Sequence, residues 1–106
     1  MMVFMLRAKI HNVKITGKNL YYNGSITIGE EILKKAGFFE GERVEVYNMT
    51  NGRRFSTYVI KGKGNEIVLN GAAAREGEIG DALIIVSYAL MTEEEAKTYK
   101  PKIITF

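Results

Sequence analysis

The sequence predicts a small, mainly β domain of six to seven strands closed into a barrel with one or two short helices. Two observations carry this. Short β-branched or aromatic runs recur along the chain with turn signals between them, and only two segments have helical character. The length of 106 residues suits one domain, 1–106, with no linker, internal repeat or low-complexity stretch.

The expected strands, in order, are Val3–Leu6, Val13–Thr16, Ile26–Ile28, Val44–Tyr47, Phe55–Ile60, Ile67–Leu69 and Ala82–Tyr88. The last is a continuous apolar run, the pattern of a strand buried on both faces. Turns are expected at Gly17-Lys18-Asn19, Asn51-Gly52, Gly62–Asn65 and Gly77–Asp81. Asn51-Gly52 reads as a type I′ hairpin turn, with φ positive at both central residues. Glu30 to Ala36 reads as a helix that puts Ile32, Leu33 and Ala36 on one face and stops at Gly37. Thr92-Glu93-Glu94-Glu95 is a capping box opening a second helix, limited downstream by Pro101.

Composition excludes several function classes. There is no cysteine, hence no disulfide, thiolate nucleophile or cysteine zinc site, which fits a reducing, cytoplasmic setting. The single histidine, His11, rules out a multi-histidine metal site. No apolar run is long enough for a membrane span. A net charge of +3 is spread among acidic residues, so it argues for no nucleic-acid partner; it would still concentrate an anionic substrate. Gly62-Lys63-Gly64 lacks the third glycine of a dinucleotide motif.

Four blocks carry chemistry: Lys9-Ile10-His11, Tyr21-Tyr22-Asn23-Gly24-Ser25, Asn51–Tyr58 and Asn70-Gly71-Ala72-Ala73-Ala74. Taken singly, each is an ordinary turn or strand. Together they read as a self-processing site. A serine hydroxyl can attack the carbonyl of the residue before it and convert a peptide into an ester, and glycine at that position neither shields the carbonyl nor resists an unusual φ/ψ. Elimination from the ester leaves dehydroalanine, which hydrolyses to a pyruvoyl group on the new N-terminus.

In this order and near these positions the blocks resemble the aspartate 1-decarboxylases, pyruvoyl enzymes that make β-alanine for pantothenate and coenzyme A biosynthesis. The resemblance runs from the N-terminal methionines to about Tyr99-Lys100-Pro101. It sharpens the barrel to a double-psi β-barrel. It implies autocatalytic cleavage between Gly24 and Ser25 into 1–24 and 25–106, with Ser25 as the pyruvoyl group that forms an imine with L-aspartate. It further implies no metal, no pyridoxal phosphate, a cytoplasmic homotetramer with sites between neighbouring subunits, and room for a separate maturation factor.

The resemblance assigns Tyr58 as proton donor to the carbanion left by decarboxylation; a phenol keeps its proton at neutral pH and can deliver it to carbon. Thr57 and Tyr58 point to opposite faces of an ideal pleat, so a bulge or strong twist is expected there. Arg54 suits a bidentate grip on a carboxylate. The carboxylate that leaves as CO2 loses its charge, so a cation on it would stabilise the ground state. Arg54, helped by Lys9, is therefore expected on the side-chain carboxylate. The resemblance also implies substrate binding by Thr57, Gly71, Ala72 and Ala73, and supporting places for His11, Tyr22 and Asn70. Tyr47 stands where other members of the family can carry tryptophan.

Two alternatives compete. Residues 26–48 also resemble the swapped-hairpin DNA-binding regulators of the AbrB type, and a pyruvoyl decarboxylase acting on another amino acid would share the same electrophile.

Overall fold

The N-terminal segment folds as one long strand, β1 (Met2–Lys14), because two bulges let it follow a curved sheet. Its pairing slips by one residue at Arg7 and again at Asn12. Asn12 has φ 72°, the one non-glycine residue with positive φ, and its amide donates to the Phe106 carbonyl at 2.8 Å. The extra residue resets the pleat: Ala8 and Ile10 enter the core before it, Val13 and Ile15 after it, and Lys9 and His11 are left on the outer face.

The computed structural model describes all 106 residues. After β1 come β2 (Gly17–Asn19), β3 (Ser25–Gly29), α1 (Glu30–Ala36), β4 (Arg43–Asn48), β5 (Arg54–Gly62) and β6 (Ile67–Asn70). A 3-10 turn at Gly71–Glu76 leads into β7 (Ala82–Thr92), α2 (Glu93–Thr98) and β8 (Lys102–Thr105). The strands form one sheet in the order β2-β6-β3-β5-β4-β7-β1-β8. β1 lies near one end of that order and β2 at the other, yet only Ile15 and Thr16 separate them in sequence. The sheet therefore curls until its ends meet. Thr16 N donates to Ile67 O at 2.8 Å on one side of the seam and Ile15 N to Asp81 O at 3.0 Å on the other. Inside the curl, buried aliphatic side chains from every strand except β2 and β8 pack with Ile32, Leu33 and Ala36 of α1 into a single core.

Both helices form as expected. α1 ends at Gly37 in the left-handed region (φ 73°), and the Thr92/Glu95 capping box is complete, with bonds of 3.1 and 2.9 Å. The mainly β class holds, with eight strands instead of six or seven. Gly17-Lys18-Asn19 is not a turn but β2, a short parallel partner of β6, and Lys102–Thr105 adds β8 beside β1. Asn51-Gly52 is not a type I′ turn: only Gly52 has positive φ, and the Asn48 side chain organises a longer loop by accepting from Thr50 N and Asn51 N. β7 is buried on both faces only in its middle, where Ile85 and Val86 point opposite ways; Tyr88, and Leu90 beyond the expected run, are exposed.

Candidate active site

The register between β3 and β6 sets Ser25 opposite Asn70. Ser25, at the start of β3, is completely buried. Its Oγ donates to Asn23 O at 3.0 Å and accepts from Asn70 Nδ2 at 2.9 Å, so its position is fixed from both sides. The second N–H of the same amide goes to Thr27 Oγ1 at 2.8 Å. The segment before it is open to solvent, Tyr21 almost wholly so.

Gly71 braces that segment from below. It has φ 62°, and a Cβ there would fall 2.7 Å from Gly24 Cα and 2.9 Å from Tyr22 O. Only glycine allows this approach. Gly24, in contrast, has open space where a Cβ would be, so nothing crowds that side of the residue. A pocket of about 260 Å³ adjoins the pair, walled by Gly24, Ser25, Phe55, Ser56, Thr57, Ala72, Ala73 and Glu76. A serine hydroxyl, a glycine without a Cβ before it and a wall of mostly small residues thus share one place.

Tyr58 stands beside this pocket but not in its wall. The parallel register Ile26↔Val59 places Ser25 level with Tyr58 on the next strand, about 4.8 Å away between backbones. No register shift occurs within β5, so the expected bulge is absent. Thr57 faces the core side opposite Val44, and Tyr58 faces outward, 42% exposed.

The remaining candidates lie elsewhere on the outer face. Arg54 is four residues from Tyr58, about 13 Å along the strand. Its guanidinium lies 4.2 Å from the ring centroid of Tyr47, over β4, on the side of β5 away from Ser25. His11 is level with Ile84 and Tyr47, and Lys9 with Val86 and Glu45, two strands beyond β4. Within one chain, then, Ser25, Thr57, Asn70, Gly71, Ala72 and Ala73 come together with Tyr58 beside them, while Arg54, Lys9 and His11 do not join them. No group of three or more histidine or acidic residues is placed to hold a metal ion, and no helix is long and apolar enough to cross a membrane.

Two contacts were not foreseen. Thr27, which shares the Asn70 amide with Ser25, lies two residues after it on the same strand face, a signal that period-two alternation contains. Tyr47 pairs with Arg54 across the β4–β5 hairpin, and its hydroxyl meets that of Tyr88 at 3.2 Å. The Tyr88 hydrogen bond, with burial second, pushes the Tyr47 phenol up to about 12, against a smaller opposing effect of Arg54.

The model of the aspartate decarboxylase family matches residues 1–106. The chain is similar to the aspartate 1-decarboxylase of Campylobacter hominis, at 57% identity over 104 residues (98% of this chain, 91% of that protein). It is 59% identical over 87 residues to the aspartate 1-decarboxylase of Pyrobaculum islandicum (82% and 72%). Against that of Cupriavidus taiwanensis it is 55% identical over 102 residues (94% and 85%).

Proposed function

The chain belongs to the aspartate decarboxylase family, and on that premise we propose that it cleaves itself between Gly24 and Ser25, turns Ser25 into a pyruvoyl group and converts L-aspartate to β-alanine and CO2. It is an enzyme, a carboxy-lyase. Membership over the full 106 residues leaves the DNA-binding alternative, confined to 26–48, without support. The curled sheet and its parallel β3–β5 and β2–β6 pairs support the double-psi form of the barrel.

The observation that carries the reading is the buried Ser25 hydroxyl, held by Asn23 O and Asn70 Nδ2 next to a glycine with no Cβ. Asn70 fixes the rotamer of the nucleophile, and Gly71 supports the scissile segment from beneath. These residues fit a pyruvoyl group at position 25: after cleavage the Asn70 amide is free to donate to a carbonyl there. Such a group supplies an electrophilic carbonyl that takes up the substrate amine and accepts the electrons released as the α-carboxylate departs.

The chain's own residues do the rest. Thr57, Ala72 and Ala73 wall the pocket, with Gly71 next to them in the chain, and together they orient the substrate. Tyr58, level with Ser25 on the next strand, holds a proton for the α-carbon. Arg54 carries no protein ion pair, whereas Arg53 is paired with Glu76, so its fork remains available for the carboxylate that β-alanine keeps.

A second copy of the chain completes this site. Arg54 and Ser25 of one chain are about 14 Å apart between backbones, by strand rise and spacing. The Arg54 side chain does not shorten that gap, because its guanidinium is turned onto Tyr47, over β4 and away from Ser25, which leaves more than a four-carbon substrate can bridge. The outer face that bears Arg54, Lys9 and His11 also exposes Phe4, Tyr88 and Leu90, and Phe4 and Tyr88 line a hollow there of about 500 Å³. Apolar side chains so placed support burial against another subunit, in line with a homotetramer.

Activity is tested by incubating purified protein with L-aspartate and assaying CO2 and β-alanine, with L-glutamate in parallel. Turnover of aspartate alone supports the assignment. Ready turnover of glutamate with negligible turnover of aspartate overturns the substrate. Borohydride reduction in the presence of labelled aspartate should attach label to the 25–106 chain.

A further inference from the structure

We propose that Tyr47 and Tyr88 are positioning residues for Arg54: the Tyr47 ring is a shelf that aims the guanidinium, and the Tyr88 hydroxyl fixes the shelf. The proposal rests on the reading of Arg54 as the anchor of a carboxylate and deepens it.

Three observations support it. Arg54 lies over the Tyr47 ring, 4.2 Å from its centroid, a cation–π stack that occupies the face of the guanidinium and leaves its N–H edges free. None of those edges is taken up by the protein. Arg7, Arg43 and Arg53 each pair with a glutamate, and Arg54 pairs with none. Tyr47 in turn is held from its far end, where its hydroxyl meets Tyr88 Oη at 3.2 Å across the sheet from β7.

The arrangement has a physical rationale. An unsupported arginine loses much rotamer freedom when it binds a ligand; one already stacked in the binding direction has lost it beforehand. The hydroxyl pair holds the shelf in place from its far end. The nearest acid on β4, Glu45, is occupied by Arg43 at 3.5 Å.

The test is steady-state kinetics with L-aspartate on fully cleaved protein, for Tyr47→Leu, Tyr47→Phe, Tyr47→Trp and Tyr88→Phe, and for Tyr47→Leu combined with Arg54→Gln. Loss of the ring in Tyr47→Leu should raise KM on the order of tenfold with kcat changed little. Tyr47→Trp keeps an aromatic face and should keep KM. Tyr47→Phe and Tyr88→Phe each remove the hydroxyl pair, so each should raise KM by roughly two- to fivefold, and their double variant by no more than either alone. In the Arg54→Gln background, Tyr47→Leu should have no further effect on kcat/KM.

The proposal is overturned if Tyr47→Leu has its full effect without Arg54, if KM is unchanged in Tyr47→Leu, or if kcat falls while KM holds. Should Tyr47→Leu not fold, Tyr88→Phe, which loses a single oxygen, decides alone: an unchanged KM overturns it. An Arg54→Gln protein with normal kcat/KM would instead refute the anchor role of Arg54, a separate result.

Discussion

The side-chain amide of Asn70 donates one proton to Ser25 Oγ at 2.9 Å and the other to Thr27 Oγ1 at 2.8 Å. One amide thus ties the proposed nucleophile to the residue two places along its own strand. Replacing Asn70 by alanine leaves the Ser25 hydroxyl with a single partner, Asn23 O, and free to turn. Self-cleavage of Asn70→Ala should slow about tenfold or more, the barrier equivalent of one buried hydrogen bond. The time course of uncleaved chain on a denaturing gel measures it; an unchanged rate would remove Asn70 from the processing machinery.

Gly71 should matter to cleavage before it matters to substrate. A Cβ at Gly71 would press on Gly24 Cα at 2.7 Å, and an L residue at φ 62° costs about 1–2 kcal/mol. Gly71→Ala is expected to lower Tm and to leave most of the chain uncleaved. A variant that cleaves at the normal rate would show that the Tyr22–Gly24 segment yields without cost.

These contacts mark the limit of what the sequence discloses. α1 was legible because Ile32, Leu33, Ala36 and Gly37 act within one short segment, and the Thr92 capping box for the same reason. The bulge at Asn12 was not, because its cause lies 94 residues away in the Phe106 carbonyl. Lys18 and Asn19 look like turn residues and become a strand only because β6 lies alongside. At the site, the clustering of Ser25, Asn70 and Gly71 followed from their motifs. The separation of Arg54 from Ser25 did not, since it depends on which side of β5 each neighbouring strand occupies.

If the site is shared between subunits, two inactive chains should rescue each other. A chain with Ser25→Ala keeps Arg54 but cannot form the electrophile, and one with Arg54→Gln does the reverse. Co-expressed and purified as mixed oligomers, they should recover a measurable fraction of activity. Activity no greater than that of the separate variants would place Ser25 and Arg54 in the same subunit's site.

Tyr58→Phe separates chemistry from binding. Its proton is required only after the carboxylate has left, so kcat should fall about a hundredfold or more with KM little altered. A proportional rise in KM with kcat intact would make Tyr58 a binding residue.

Acid should loosen the seam of the barrel at one carboxylate. Asp81 accepts from Asn48 Nδ2 and Glu78 N, each at 2.9 Å, and the Asn48 bond first, then the Glu78 backbone bond, lowers its carboxyl below the usual value of 3.8. A group depressed on folding contributes stability above its unfolded pKa and loses that contribution as pH falls through the folded one. The Tm difference between the unaltered chain and Asp81→Asn should therefore be steady near neutrality and shrink only below about pH 4. A difference that persists unchanged at pH 3 would contradict this.

The central claim is that the chain makes its own electrophile at Ser25, and intact mass spectrometry of the purified protein tests it most directly. The account predicts two masses, residues 1–24 ending in a free carboxylate and residues 25–106 beginning with a pyruvoyl group, and a single uncleaved mass for Ser25→Ala. A chain that remains whole after prolonged warming, or that divides at another bond, would contradict it.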